Sequence, residues 1–192
     1  MISELHTQRL ILRPWRQSDR EPFARMNADP AVMEFFPACL SRAESDQAVD
    51  WIEAHFRQHG FGILAVELRS EHAFIGFTGL SVPRFEAHFT PCVEIGWRLA
   101  KAYWGKGLAT EGARAAVEYG FETVGLDEIV SFTVPANVRS RAVMEKLGMT
   151  HDPSDDFDHP SLAEGHPLCR HVLYRLKAAA FISRNGPGEA ER

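Results

Sequence analysis

The segment Tyr103–Gly112 (YWGKGLATEG) holds the residues best suited to chemistry. Gly105 and Gly107 open backbone conformations closed to other residues, and a helical pattern starts directly after them. Successive amide N–H groups can then converge on an anion at the positive end of the helix dipole, which makes the stretch a candidate phosphate cradle. Two familiar cradles do not fit. The Walker order of Gly, four residues and Gly-Lys-Ser/Thr is absent, and Thr110 stands where a dinucleotide GxGxxG needs its last glycine. A bare pair of glycines before a helix is equally compatible with a tight turn.

Glu94 lies within Cys92–Leu99 (CVEIGWRL), whose alternation sets Val93, Ile95 and Trp97 on one face and Glu94 and Gly96 on the other, so a carboxylate stands inside a strand. Cys92 has neither a spaced His nor a base in view and is expected to pack as a thiol. His55 and His59 have metal-compatible spacing, but Phe56 occupies the place of a zinc protease's Glu, and surface histidines are the expectation. No cysteine pair has zinc spacing and no GxSxG elbow occurs. The stretch His151–His171 gathers Asp152, Asp155, Asp156 and Asp158, yet its prolines and alternating acids suit an ordered loop better than a metal site, and no metal is expected.

These groups need elements to hold them. Gln8–Arg13 alternates as a first strand, and Ser18 with Glu21 spells a capping box for a short helix to about Met26. The same box recurs at Ser41 and Glu44, followed by Ala48, Trp51, Ile52 and Phe56 at helical spacing and a stop at Gly60. Ile63–Leu68 and Ala73–Leu80 read as a hairpin across Arg69–His72. After the glycine stretch, Ala113, Ala116, Val117, Phe121 and Val124 mark a helix closed by Gly125. Glu128–Val134 is strand-like, Asn137 can cap a helix ending at Leu147, and Arg170–Leu176 alternates as a last strand.

The 192 residues suit one domain, expected over 7–181 with a frayed tail over 182–192. A formal charge of -5 argues against nucleic acid or anionic lipid as partner, so an anionic ligand must meet local donors. No apolar run approaches the ~20 residues of a membrane span, and three scattered cysteines suit a reducing cytoplasm.

Four ordered segments, TQRLILRPW, VEIGWRL, YWGKGLATEG and NVRSRAVMEKLGM, together resemble the GNAT family of acetyl-CoA-dependent N-acetyltransferases, and within it the RimJ/RimL-type branch acting on ribosomal-protein N-termini. The resemblance runs from about Thr7 to Leu176. It implies an α/β (α+β) fold: a mixed, mostly antiparallel twisted sheet with helices on both faces, split near the cofactor. The family's Gln/Arg-x-x-Gly-x-Gly/Ala loop falls on Trp104, Gly105, Lys106, Gly107, Leu108 and Ala109, with Thr110 following; Trp104 departs from the first position, but the backbone amides remain. By the same resemblance Trp97, Arg98 and Leu99 pair their backbone with the pantetheine arm, Glu94 accepts the proton of the attacking amine, Asn137 bonds the cofactor and Ser140 serves the departing thiolate. The acceptor enters beside the loop that carries Asp156, Asp158 and His159, which would attract a cation. Asn137 and Ser140 also fit a plain cap and a locally satisfied hydroxyl.

The expected reaction is direct acetyl transfer from acetyl-CoA to a primary amine of a small molecule or a protein N-terminus, in a monomer or homodimer. Two rivals remain at this level: a module that binds acetyl-CoA without turnover, and a nucleotide-binding oxidoreductase, the latter weakened by the presence of one strand-loop-helix-strand unit instead of two.

Overall fold

The computed structural model describes residues 4–185. A short strand β1 (Leu5–His6) folds back on β2 (Leu10–Arg13), whose Leu10 and Leu12 are fully buried. Helix α1 (Arg20–Asn27) follows one 3-10 turn, and its start corrects the expectation at Ser18: the carboxylate of Asp19 accepts from the Arg16 amide at 2.8 Å. The same carboxylate takes a two-pronged bond from buried Arg13, at 2.7 and 2.9 Å, and that ion pair sets where the turn begins. Glu67 completes the cluster by accepting from Arg13 Nε at 2.7 Å.

Helix α2 (Arg42–His59) begins with the expected box: the Ser41 amide donates to Glu44 at 2.7 Å, the Glu44 amide to Ser41 Oγ at 3.3 Å, and left-handed Gly60 closes the far end. The hairpin forms as β3 (Ile63–Leu68) and β4 (Ala73–Ser81), and β5 (Glu94–Leu99) adds antiparallel to β4. Helix α3 (Leu108–Tyr119) runs into a π turn at Gly120–Val124 before β6 (Glu128–Thr133). Helix α4 (Val138–Leu147), the short β7 (Thr150–His151) and β8 (Phe157–Asp158), and β9 (Arg170–Lys177) complete the sheet.

The main sheet runs β1-β2-β3-β4-β5-β6-β9-β7, with β8 paired to β9. Its β5–β6 pairing is parallel and the others are antiparallel. Leu108, Ala113 and Val117 of α3 and Met144 and Leu147 of α4 share one apolar cluster with Leu64, Ile75, Ile95 and Ile129 of the sheet. Phe23 and Met26 of α1 and Val49 of α2 form a second cluster with Phe74 and Phe77. The loop before β5 is packed as well, because Phe89 meets Phe157 of β8 at 4.7 Å between ring centres. A last helix, α5 (Ala178–Asn185), which the sequence reading did not anticipate, seats Phe181 against Phe121. Of the expected tail, 186–192 lies outside the described residues.

Candidate active site

Strands β5 and β6 meet in register only at Glu94 and Val130. The Val130 amide donates to the Val93 carbonyl at 2.9 Å, and Ser131 Oγ donates to the Ile95 carbonyl at 2.9 Å. Strand alternation therefore turns the backbone polar groups of Trp97 and Leu99 toward β6 as well, where no ladder continues. Arg98 is the exception among the three residues expected there. Its amide and carbonyl belong to the β4 side, as Gly96 and Ala100 show by bonding Thr78 and Ile75. The Leu99 carbonyl is also taken, by the Trp104 indole at 2.7 Å, which leaves the Trp97 amide and carbonyl and the Leu99 amide facing the gap.

The gap widens into a cleft of about 790 Å³. Gly105, Gly107, Leu108, Ala109 and Thr110 form one part of its wall. Gly105 and Gly107 have φ values of 72° and 76°, a left-handed region that favours glycine. Gly107 caps α3 without a side-chain bond, and the first amide to find a helical acceptor is that of Glu111, bonded to the Gly107 carbonyl at 3.0 Å. Among the described residues the amides of Leu108, Ala109 and Thr110 have no protein acceptor. This is the unfilled anion seat of a helix start. Arg9 braces it from behind, donating to the Lys106 carbonyl at 2.9 Å and to Glu111 at 2.6 Å. Lys106 itself lies outside the cleft wall, its ammonium 5.4 Å from the centre of the Tyr103 ring.

Glu94 lines the same cleft beside Ser81 and Gly96. Burial without a compensating cation pushes its carboxyl up to about 8. Cys92 is also driven up, to about 11, by burial, so it packs as a neutral thiol. Asn137 and Ser140 reach the cleft from the start of α4. The Asn137 carbonyl oxygen accepts from the Ser140 amide at 3.2 Å and its amide donates to Thr133 at 3.1 Å, so the side chain is the helix cap that the sequence allowed. Arg139 spans to Glu34 at 2.7 Å and lies 4.6 Å from the Trp104 ring centre.

Of the three residues expected at an acceptor rim, His159 lines the cleft, packed against Phe85 and His171. Asp156 and Asp158 do not, because each is held elsewhere: Asp156 bonds His151 at 2.7 Å and Asp158 faces Arg170 at 3.4 Å. His55 corrects the expectation of a surface histidine, because it is buried and accepts from the Val82 amide at 3.0 Å; no metal-holding group of side chains exists among the described residues. Sequence reasoning missed the aromatic wall made by Phe36, Trp51, Phe77 and Phe132 and the side chain of Arg98. The run Phe35-Phe36-Pro37 between two helices was the available signal, since apolar residues in a loop need something to cover. No described helix is long and apolar enough to cross a membrane.

Comparison with known proteins agrees with the fold. The FsC-acetyl coenzyme A-N(2)-transacetylase of Aspergillus fumigatus is 36% identical over 154 residues, covering 77% of this chain and 65% of that protein, so the match spans just under two thirds of the relative's length. An acetyltransferase structure from Agrobacterium tumefaciens aligns with a TM-score of 0.73 at 28% identity over 92% of this chain and 95% of that one. A spermidine N-acetyltransferase from Vibrio cholerae, solved with CoA and spermine, shares the fold at a TM-score of 0.72 and 16% identity, over 92% of this chain and 99% of that one. A family model described as an acetyltransferase (GNAT) domain matches residues 9–150, and the chain belongs to that family.

Proposed function

We propose that this chain moves an acetyl group from acetyl-CoA to a primary amine by direct attack, within the single unit expected over 7–181. The observation that carries the proposal is the convergence, in one cleft, of an unpaired helix start, an opened strand edge and a desolvated carboxylate. The amides of Leu108, Ala109 and Thr110, with the Gly105–Gly107 backbone, suit a diphosphate. The Trp97 amide and carbonyl and the Leu99 amide suit the amide groups of a pantetheine arm, which would take the place of a neighbouring strand. When bound, acetyl-CoA supplies a thioester as the electrophile.

Glu94 then holds the proton given up by the amine, directly or through water, as the nitrogen bonds carbon and the carbon–sulfur bond breaks. Ser140, which lines the cleft on the first turn of α4, donates to the departing sulfur. Asn137 fixes that turn through its cap, so its part is to position Ser140. The acceptor class left open by the family is a small-molecule amine or a ribosomal-protein-type N-terminus.

The test is release of free CoA thiol by the purified chain with acetyl-CoA and a panel of amines, beside thermal shifts with acetyl-CoA and NADH. A ligand at 100 times its dissociation constant adds about 2.7 kcal/mol of stability. Stabilisation by acetyl-CoA with acceptor-dependent thiol release supports transfer. Stabilisation with no release across the panel would leave only a binding module.

A further inference from the structure

Arg98 lines the cleft, and the reaction above does not use its side chain. It stands on the same face of β5 as Glu94 and Gly96, and all three line the cleft. A Cβ at Gly96 would meet nothing within 4 Å, so the floor between the two charged residues is open. The guanidinium lies over the Phe36 ring at 3.9 Å and near Phe77 at 5.3 Å. Nη1 donates to the Asn27 oxygen at 2.7 Å, and Asn27 is itself oriented by its bond to Ser45 at 2.9 Å. Nε is sealed from solvent with no acceptor, and no carboxylate pairs with the group among the described residues. Three other arginines held away from solvent do have acidic partners: Arg13 has Asp19 and Glu67, Arg20 has Asp50, and Arg175 has Asp155 and Glu128. Burial holds the Arg98 guanidinium down at about 10, which still leaves it charged at neutral pH. A half-buried cation with one donor orphaned and no carboxylate beside it is favourably placed to take an anion.

Resting on the transfer reading above, we infer that Arg98 is an acceptor-recognition residue, and that the amine to be acetylated carries a carboxylate which docks on this guanidinium. A planar two-oxygen anion matches the fork. The Phe36 and Phe77 rings beside the guanidinium offer no side-chain donor for the additional oxygen of a phosphate. Along the strand, Glu94 and Arg98 are separated by about 13 Å at their Cα atoms, from a rise of about 3.3 Å per residue. An amine beside Glu94 and a carboxylate on Arg98 would then stand at the two ends of one acceptor, such as a dipeptide or an ω-amino acid. The acidic side chains that suggested a cationic acceptor, Asp156 and Asp158, stand outside the cleft.

The test pairs dipeptides and ω-amino acids of rising chain length with their own carboxamides, which keep the amine and remove the anion. Binding is read by titration calorimetry on the CoA-saturated protein, and turnover by thiol release. The acids are expected to bind at least about 10-fold more tightly than the amides in the native protein, as for a hydrogen bond to a charged group. In Arg98→Gln, which keeps an amide donor toward Asn27, that ratio falls to about one while the thermal shift with CoA persists. Arg98→Lys, with charge but no fork, is expected in between, and it serves if the Gln variant does not fold. Equal binding of acids and amides by the native protein would overturn the inference, as would a Gln variant that weakens both alike. Turnover without any preference for acids sinks this inference alone. Selective binding of acids without turnover sinks the transfer reading and leaves the anion seat standing.

Discussion

Replacing Glu94 by Gln is expected to change the pH dependence of the reaction as well as its size. With its carboxyl near 8, Glu94 is roughly one tenth ionised at pH 7 and about one hundredth at pH 6, so the base-dependent rate should rise close to 10-fold per pH unit and level off above 8. An acceptor whose own amine titrates below about pH 6 removes the competing effect of amine protonation. In Glu94→Gln the rise should vanish, and activity at pH 8.5 should fall by the ~10²–10⁴-fold typical of a lost general base. Stability supplies an independent reading. The folded protein keeps Glu94 protonated across pH 4.5 to 8, where the unfolded chain ionises it, so this residue's contribution to stability is lost as pH rises through that window. Glu94→Gln should therefore melt higher than the native protein at pH 8 and gain nothing near pH 4.5. A native profile with its midpoint near 4.5, or an unchanged profile in the Gln variant, would refute the desolvation argument.

Other perturbations test other parts of the site. Gly107→Val imposes a β-branched residue at φ 76° and is expected to abolish the thermal shift with acetyl-CoA while the unliganded fold persists by circular dichroism. Arg13→Leu leaves Asp19 buried without its cation and Glu67 with Arg16 alone, and should cost about 3–5 kcal/mol in urea unfolding. Arg13, with a smaller part from Arg16, also holds the Glu67 carboxyl below its ordinary value, so the native cluster should weaken as pH falls through that range, and the variant should show less of this loss. Ser140→Ala should lower kcat with a thiol leaving group and leave the KM for acetyl-CoA near its native value.

Where residues close in sequence decided the structure, the sequence was sufficient. Ser41 and Glu44 cap each other three residues apart, and α2 begins where they say. Ser18 and Glu21 have the same spacing, but Asp19 is drawn to Arg13 from the neighbouring strand and takes over the cap, an ion pair that no local window contains. The glycine turn and Glu94 were legible because the backbone needs of one and the strand alternation of the other are written in adjacent residues. Asp156 and Asp158 misled because acidity was visible and their partners, His151 and Arg170, were not. The aromatic wall was hidden for the same reason: Phe36 acquires its meaning from Arg98, which is distant along the chain.

The solitary register point between β5 and β6 makes the sheet a wedge. Its apex is stitched by the bonds from Val130 and Ser131, and its mouth opens toward Trp97 and Leu99. A guest threaded into a wedge is gauged by depth: slender, reactive tips reach the stitched apex, and bulky heads stop outside. Exchange of amide hydrogens should accordingly be slow at Val130 and fast at Trp97 and Leu99, and the fast pair should slow once a guest supplies the missing rung.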